Sequence, residues 1–207
     1  MYGNNKFLLI VMLVICMTSY GFKCNKSVGC AEVVYNFEMG IKAYPDKDSI
    51  LIGDTIWIEI NEPVIFKDLT GTGNVDYSNA ANLGAAISFA QLISVDSTND
   101  KVASKFKYLL MSGSSVERQD TIKYWEYKFS EQNGFYRFKL ALIPREKGVY
   151  KMFIGNANNV YRNNNKCTKA NFIINFINTN QHYYFNKVSF PGIVLSGKTG
   201  VYLFKVN

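Results

Sequence analysis

The feature that most constrains the fold of this chain is a strict alternation of apolar and polar side chains over residues 55–60, Thr-Ile-Trp-Ile-Glu-Ile. Successive side chains of an extended chain point to opposite faces, so the three isoleucines share one face while Trp57 and Glu59 share the other. A period of two is typical of a β-strand with one buried face. Gly53 and Asp54 precede the alternation, and this pair favours a turn. The segment therefore predicts one strand that ends at a turn and a second strand that begins after it.

Short apolar runs separated by turn residues recur to the end of the chain, and this rhythm is typical of an all-β sandwich. The composition agrees, because 14 Tyr and 15 Phe among 207 residues favour strands, where rings pack on a pleated surface. Residues 78–86 stay open, since Ser78 can cap a short helix or the stretch can run directly into a strand. Polar residues 96–100 are predicted to form a loop. The predicted strands are residues 33–41, 49–52, 55–60, 87–95, 106–111, 124–129, 135–143, 149–155, 170–177, 183–190 and 201–206.

A hairpin is predicted where residues 124–129 and 135–143 flank an Asn-Gly pair, because these two residues supply the positive φ angles of a tight turn. In the second arm every second residue from Tyr136 to Leu142 is apolar, and we expect these side chains in the core. Burial of one large aromatic side chain is worth about 2–3 kcal/mol. The aromatic residues are therefore expected to dominate the stability of the domain.

A resemblance to a known family appears in the segment that follows. Glu146, Gly148, Tyr150 and Met152 resemble the acidic-x-Gly-x-Tyr-x-Cys signature of strand F in immunoglobulin-type domains. The resemblance implies an immunoglobulin-like antiparallel sandwich with additional strands and at most a short helix. It also implies structural roles for Gly148 and Tyr150, whose hydroxyl would pin the loop that joins the two sheets. Met152 stands where antibody domains have cysteine, so their central disulfide is absent. In outline the chain also resembles uncharacterised exported proteins of Gram-negative bacteria, a likeness that implies no activity.

The same resemblance implies a different disulfide. The first and last strands of such sandwiches can lie side by side and parallel, which would bring Cys30 close to Cys167. A bridge that closes a loop of this length is worth on the order of 4–5 kcal/mol in the chain-entropy model. The alternative pairing of Cys24 with Cys167 stays open.

The N-terminus carries the pattern of an export signal. Lys6 precedes an apolar run at residues 7–17, and small residues at Ser19 and Gly21 suit cleavage before Phe22. The predicted organisation is a signal peptide at residues 1–21, a short lead-in at 22–32 and a single β-sandwich domain at 33–207.

Export implies a secreted, periplasmic or cell-surface protein that has no transmembrane segment once the signal is removed. Two alternatives stay open. The apolar run can remain as a membrane anchor, although it is shorter than the ~20 residues that span a bilayer. Cys24 can carry a lipid anchor, although the lysine before it suits lipidation poorly.

The charge of the chain argues against nucleic acid as a partner. Lys and Arg outnumber Asp and Glu by 23 to 16, for a formal net charge of +7. These cations are spread among acidic residues and form no basic stripe, the usual footprint of a nucleic-acid-binding surface. The partner is therefore expected to be a protein or a glycan.

The sequence predicts no catalytic residues, no metal and no cofactor. The chain has one histidine, His182, and no Gly-x-Ser-x-Gly turn that would present a nucleophile. A Gly-rich stretch from Asp68 to Asp76 offers oxygen ligands to calcium but lacks the EF-hand order, so a plain turn is preferred. Paired carboxylates that hydrolyse glycosides are the remaining enzymatic alternative. Candidates for such a pair are Glu59, Glu62, Glu117, Glu126 and Glu131.

The most suggestive polar segment is the predicted loop at residues 156–169, which contains six asparagines. Asparagine amides both donate and accept hydrogen bonds, which suits sugars or peptide backbones, and end loops of sandwiches are common recognition sites. The function expected from the sequence is an exported, non-catalytic interaction or structural module of the cell envelope, with a carbohydrate-binding module as the alternative. The predicted binding residues are Asn158, Asn159, Tyr161, Arg162, Asn163 and Asn164.

Overall fold

The computed structural model describes residues 30–71, 73–94, 97–100, 102–116, 124–178, 181–188, 191–192, 195, 197 and 199–207. The predicted signal peptide, Cys24 and Glu117 lie outside these residues. The fold is all-β, as expected from the alternating patterns, with 64% strand and no helix of seven residues or more in the described chain. The strands lie within the unit Glu32–Asn207.

Sixteen strands and two short 3-10 helices follow one another along the described chain. The helices are Ala103–Lys105 and Tyr183–Val188. The strands are β1 (Val33–Tyr44), β2 (Ser49–Ile50), β3 (Ile56–Pro63), β4 (Ile65–Lys67), β5 (Asn74–Asp76), β6 (Gly84–Ser94), β7 (Ser97–Asn99), β8 (Phe106–Ser112), β9 (Ser114–Val116), β10 (Tyr124–Lys128), β11 (Ser130–Gln132), β12 (Phe135–Pro144), β13 (Gly148–Ile154), β14 (Ala157–Arg162), β15 (Asn165–Phe176) and β16 (Val201–Val206).

These strands form two seven-stranded sheets and one small hairpin. The first sheet has the order β11-β12-β3-β1-β15-β14, with β8 also paired to β12. The second sheet has the order β2-β16-β13-β6-β10-β9, with β7 also paired to β6. β4 and β5 pair with each other. β5 lies in the stretch of residues 68–76 that was predicted as a Gly-rich turn, and β7 lies in residues 96–100, which were predicted as a loop.

The two sheets pack face to face through aromatic rings. Phe106 of the first sheet stacks on Phe89 of the second with ring centroids 4.9 Å apart. Tyr127 of the second sheet meets Phe138 of the first at 5.2 Å. The isoleucines of the alternating segment and the apolar side chains from Tyr136 to Leu142 are all at most 1% exposed. The period-two patterns therefore identified the buried faces of β3 and β12 correctly.

The first strand of the sandwich runs parallel to β15, as the resemblance implied. Their register pairs Val33 with Thr168 and Ile41 with Phe176. Cys30 and Cys167 each lie just before these paired segments, and they are disulfide-bonded to each other.

The Tyr150 hydroxyl contacts the chain just before β13. The Tyr150 hydroxyl donates to the backbone carbonyl of Glu146 at 3.0 Å and lies 3.3 Å from that of Lys147. Burial raises the pKa of Tyr150 to about 12. The strand pairing departs from immunoglobulin domains, however, because β13 and β15 lie in different sheets, whereas strands F and G of those domains share one.

The predicted hairpin at residues 124–143 is wrong in its first arm. The Asn-Gly turn forms, with φ of 52° at Asn133 and 76° at Gly134, but it joins β11 to β12. β10 pairs instead with β6 and β9 in the opposite sheet. A buried face can turn toward the core from either layer, so alternation could not show that the chain crosses between sheets after Lys128.

Of the two alternatives left open for residues 78–86, the stretch runs into a strand: Asn79 and Asn82 take positive φ angles, and β6 begins at Gly84. One other prediction fails. Residues 183–190 were predicted to be a strand, but Tyr183–Val188 is a 3-10 helix. The chain before it is held by polar contacts, since the Gln181 amide donates to the Phe176 carbonyl at 2.9 Å. Tertiary contacts override the strand preference of the aromatic residues in this segment.

Candidate functional site

The outer face of the first sheet carries the polar half of the alternating patterns. On β3 the outward side chains include Glu59 and Asn61, and on β12 they include Arg137 and Lys139. The antiparallel register places Arg137 opposite Asn61 and Lys139 opposite Glu59. Residues about 80 positions apart in sequence thus become neighbours on one surface, because each strand turns its apolar residues inward.

A groove of about 620 Å³ opens on this face where β3, β12, β11 and the end of β8 meet. Its floor and walls are mostly amides, hydroxyls and charged groups, with the exposed thioether of Met111 at one side. We call it the outer-face groove. Its lining residues are Glu59, Ile60, Asn61, Met111, Ser112, Gly113, Ser130, Gln132, Arg137, Phe138 and Lys139.

One end of the outer-face groove is a closed network of charges and rings. The Tyr44 hydroxyl donates to Glu59 Oε2 at 2.5 Å, and Lys139 Nζ lies 3.6 Å from the same oxygen. The ammonium also lies 5.0 Å from the centre of the Trp57 ring, a cation–π distance. Burial, followed by the bond to Glu59, raises the pKa of the Tyr44 hydroxyl. The hydrogen bond with Tyr44 is the main cause that raises the pKa of Lys139.

Arg137, further along the same groove, lacks the ion pair that Lys139 makes within the described part of the chain. Its Nε is buried and has no hydrogen-bond partner within the described chain. Its guanidinium carbon lies 5.9 Å from the centre of the Phe135 ring, and Phe135 is 37% exposed. Of the two cations in the outer-face groove, Lys139 is ion-paired with Glu59, whereas Arg137 has no carboxylate against it among the described residues.

A smaller pocket of about 210 Å³ lies beside the groove, where β1 and β3 separate. Only residues 42–44 of β1 pair with β3. Beyond them Glu62 lines the pocket together with Gly40. A Cβ on Gly40 would lie 2.8 Å from Glu62 Oε1 and 2.9 Å from a methyl carbon of Ile177, so a larger residue there would force these side chains to shift. Burial raises the pKa of Glu62.

The glutamates proposed for paired-carboxylate chemistry are thus partly brought together. Glu59 and Glu62 line the same small pocket. Glu126 lies on β10 of the second sheet, and Glu131 on β11 accepts a hydrogen bond from the Asn79 N–H at 2.7 Å. Glu59 already accepts a hydrogen bond from the Tyr44 hydroxyl, which favours a structural use of this carboxylate.

The Asn-rich segment predicted to be a binding loop is a β-hairpin. β14 and β15 occupy most of residues 156–169, with a tight turn at Asn163 and Asn164. Asn158 and Asn159 interrupt the pairing of β14, and Asn159 takes a φ of 54°. Of the six predicted binding residues, Asn158, Asn159, Tyr161, Asn163 and Asn164 are exposed and Arg162 is half-buried.

Arg162 is used inside the protein. Its Nε donates to the Ser78 carbonyl at 3.1 Å, and its guanidinium carbon lies 5.8 Å from the centre of the Tyr77 ring. Backbone bonds join the same segments, since the Ala81 N–H donates to the Tyr161 carbonyl at 2.6 Å. The arginine therefore fastens the hairpin to residues 78–81 instead of presenting a charge to a ligand.

The single histidine lies in a buried polar cluster that sequence reasoning missed. The His182 side chain is fully buried, with Nε2 3.2 Å from Asp46 Oδ1 and Nδ1 3.0 Å from Asp48 Oδ1. The Tyr202 hydroxyl donates to Asp46 at 2.9 Å, and burial is the main cause that raises the pKa of this tyrosine. The cluster ties the chain before the second 3-10 helix to the turn after β1. An Asp-x-Asp pair more than 130 residues away gave no signal that it would meet a histidine.

Metal binding and membrane spanning were also assessed in the described part of the chain. It contains no group of three or more His, Cys, Asp or Glu residues that could hold a metal ion. In the Gly-rich turn, Asp68 is 1% exposed and accepts hydrogen bonds from the Asn36 N–H and the Thr70 hydroxyl. No helix among the described residues is long and apolar enough to cross a membrane.

The chain was compared with protein families, curated proteins and solved structures, and no relative was found. No protein family matches the chain, and neither curated proteins nor solved structures give a significant match.

Proposed function

We propose that the protein is an exported, non-catalytic interaction module that binds carbohydrate through the outer-face groove. The observation that carries the proposal is the groove itself, about 620 Å³ lined by amides, hydroxyls and charged groups from four strands of one sheet. Such groups both donate and accept hydrogen bonds, which suits a ligand rich in hydroxyls. The rigid sandwich holds these groups in place, so little conformational entropy is lost on binding.

Export is supported by two independent features. The N-terminal sequence has the order of charge, apolar run and small residues that export signals share. The bond between Cys30 and Cys167 suits an oxidising compartment, because disulfides persist outside the reducing cytosol.

The test compares two matched pairs of exposed amides. Asn61 and Gln132 line the outer-face groove, whereas Asn163 and Asn164 form the hairpin turn, and all four side chains are exposed. The purified protein is screened against an immobilised glycan panel, and each glycan that binds is titrated with N61A/Q132A and with N163A/N164A. We expect the groove pair to weaken binding about tenfold and the hairpin pair to leave it unchanged.

Two results contradict the proposal. A loss confined to N163A/N164A would place binding at the hairpin, as the sequence predicted. A panel without any bound glycan would remove carbohydrate as the ligand class. Circular dichroism of both variants shows whether the fold is kept.

A further inference from the structure

We propose that the ligand of the outer-face groove is an acidic saccharide, and that Arg137 binds its carboxylate. The inference rests on the proposed carbohydrate-binding function and specifies the ligand class. It starts from the guanidinium, which lines the groove and has no carboxylate against it among the described residues. A ligand carboxylate in the groove would supply the missing counter-charge.

The shape of the guanidinium suits a carboxylate. Arginine presents a planar fork of N–H donors, and a carboxylate accepts two parallel hydrogen bonds from it. Lys139, the other cation of the groove, is already shared by Glu59 and the rings of Tyr44 and Trp57. The charge available to a ligand is therefore that of Arg137.

The remaining lining favours a sugar over a peptide with many acidic side chains. The amides of Asn61 and Gln132 and the hydroxyls of Ser112 and Ser130 also line the groove, and they match the hydroxyls of a sugar ring. Glu59 lies in the same groove and would repel a run of carboxylates. One carboxylate among several hydroxyls, as in a uronic acid, satisfies both the arginine and the uncharged donors.

Affinity for a trisaccharide with one glucuronic acid residue and two neutral sugars, measured by isothermal titration calorimetry, tests the assignment. The matched ligand is the methyl ester of the same trisaccharide, which keeps the hydroxyls and loses the charge. We expect the unmodified protein to prefer the acid, and R137Q to bind it at least about tenfold more weakly. R137K keeps the positive charge but loses the planar fork of donors. Its affinity for the acid is expected to lie between those of the unmodified protein and R137Q. R145Q, which removes an exposed arginine outside the groove, should change affinity less than about twofold.

The possible failures are distinguishable. Equal affinity of R137Q and the unmodified protein for the acidic trisaccharide overturns the role of Arg137. Preference for the ester, or binding of neutral glycans only, overturns the acidic ligand while carbohydrate binding stands. Poly-L-glutamate that binds as tightly, with the same loss in R137Q, overturns the assignment to a saccharide. Absence of any glycan binding removes both this inference and the proposed function.

Discussion

The β14–β15 hairpin and the outer-face groove carry similar side chains, asparagine or glutamine amides and one arginine each, yet they use the arginine in opposite ways. Arg162 of the hairpin donates to the Ser78 carbonyl and packs over the Tyr77 ring. Arg137 of the groove leaves its buried Nε without a partner in the described chain. The difference shows that a polar segment identifies a site only when its hydrogen-bonding groups are not already satisfied by the fold.

The largest expected effect is a loss of stability when the disulfide at the base of the β14–β15 hairpin is removed. Replacement of both bridged cysteines, as C30S/C167S, should lower the free energy of unfolding by on the order of 4–5 kcal/mol, because the loop it opens is long. Urea unfolding of the oxidised protein and of the variant measures the change. Ligand binding in the outer-face groove should persist while the protein is folded.

Cys24 provides the control for the disulfide prediction. C24S should leave the unfolding midpoint unchanged and the mass under non-reducing conditions consistent with one bridge. If C24S lowers stability as much as the double variant does, Cys24 pairs with Cys167 and the assigned bridge is wrong.

A smaller loss is expected when Arg162 is removed. R162A leaves the Ser78 carbonyl without its donor and should lower the free energy of unfolding by about 1–3 kcal/mol. R145A, at an exposed arginine, is the matched control and should change it by less than about 0.5 kcal/mol. Equal urea midpoints for R162A and R145A would mean that the hairpin arginine is not structural, and the contrast with the groove would fail.

The smallest expected effect is a pH dependence of the free energy of unfolding that arises from Glu62, beside the outer-face groove. The pKa of Glu62 is raised in the folded protein above the ordinary 4.5, so the folded state holds this proton more tightly than the unfolded state does. Stability from this group is therefore present at low pH and is lost as pH rises through the folded pKa. E62Q should remove that part of the decline, because glutamine does not titrate. Urea unfolding midpoints of the unmodified protein and of E62Q, measured between pH 4 and pH 7, test this difference. If the two midpoints change with pH in parallel, the raised pKa of Glu62 is refuted.

Much of the fold could be predicted from local pattern. The alternation in β3 and β12 assigned buried faces correctly because a strand turns every second residue to one side. The strands of residues 106–111 and 201–206 were found from their apolar runs. The path of β10 could not be predicted, because its alternation is compatible with either sheet, and its place is set by its pairing with β6 and β9 in the second one.

The candidate site was harder to predict than the fold. The sequence did not single out Arg137 or Lys139, and it favoured the Asn-rich segment because its polar residues are contiguous. A groove made of alternate residues has no contiguous signal, since its members come from strands that pair only after folding. The same reason hid the contact of His182 with Asp46 and Asp48.

The sequence by itself determined that the chain forms strands, which faces of them are apolar, and where several turns fall, because these depend on neighbours within a few residues. The tertiary structure alone decided which sheet each strand joins, which arginine is bonded internally and which carboxylates are close together. Those outcomes depend on register and packing between segments that can lie 135 residues apart or more, as Ala43 and Asn178 do. Pairing of distant strands is set by the burial of both sheets at once, and no single segment contains that information.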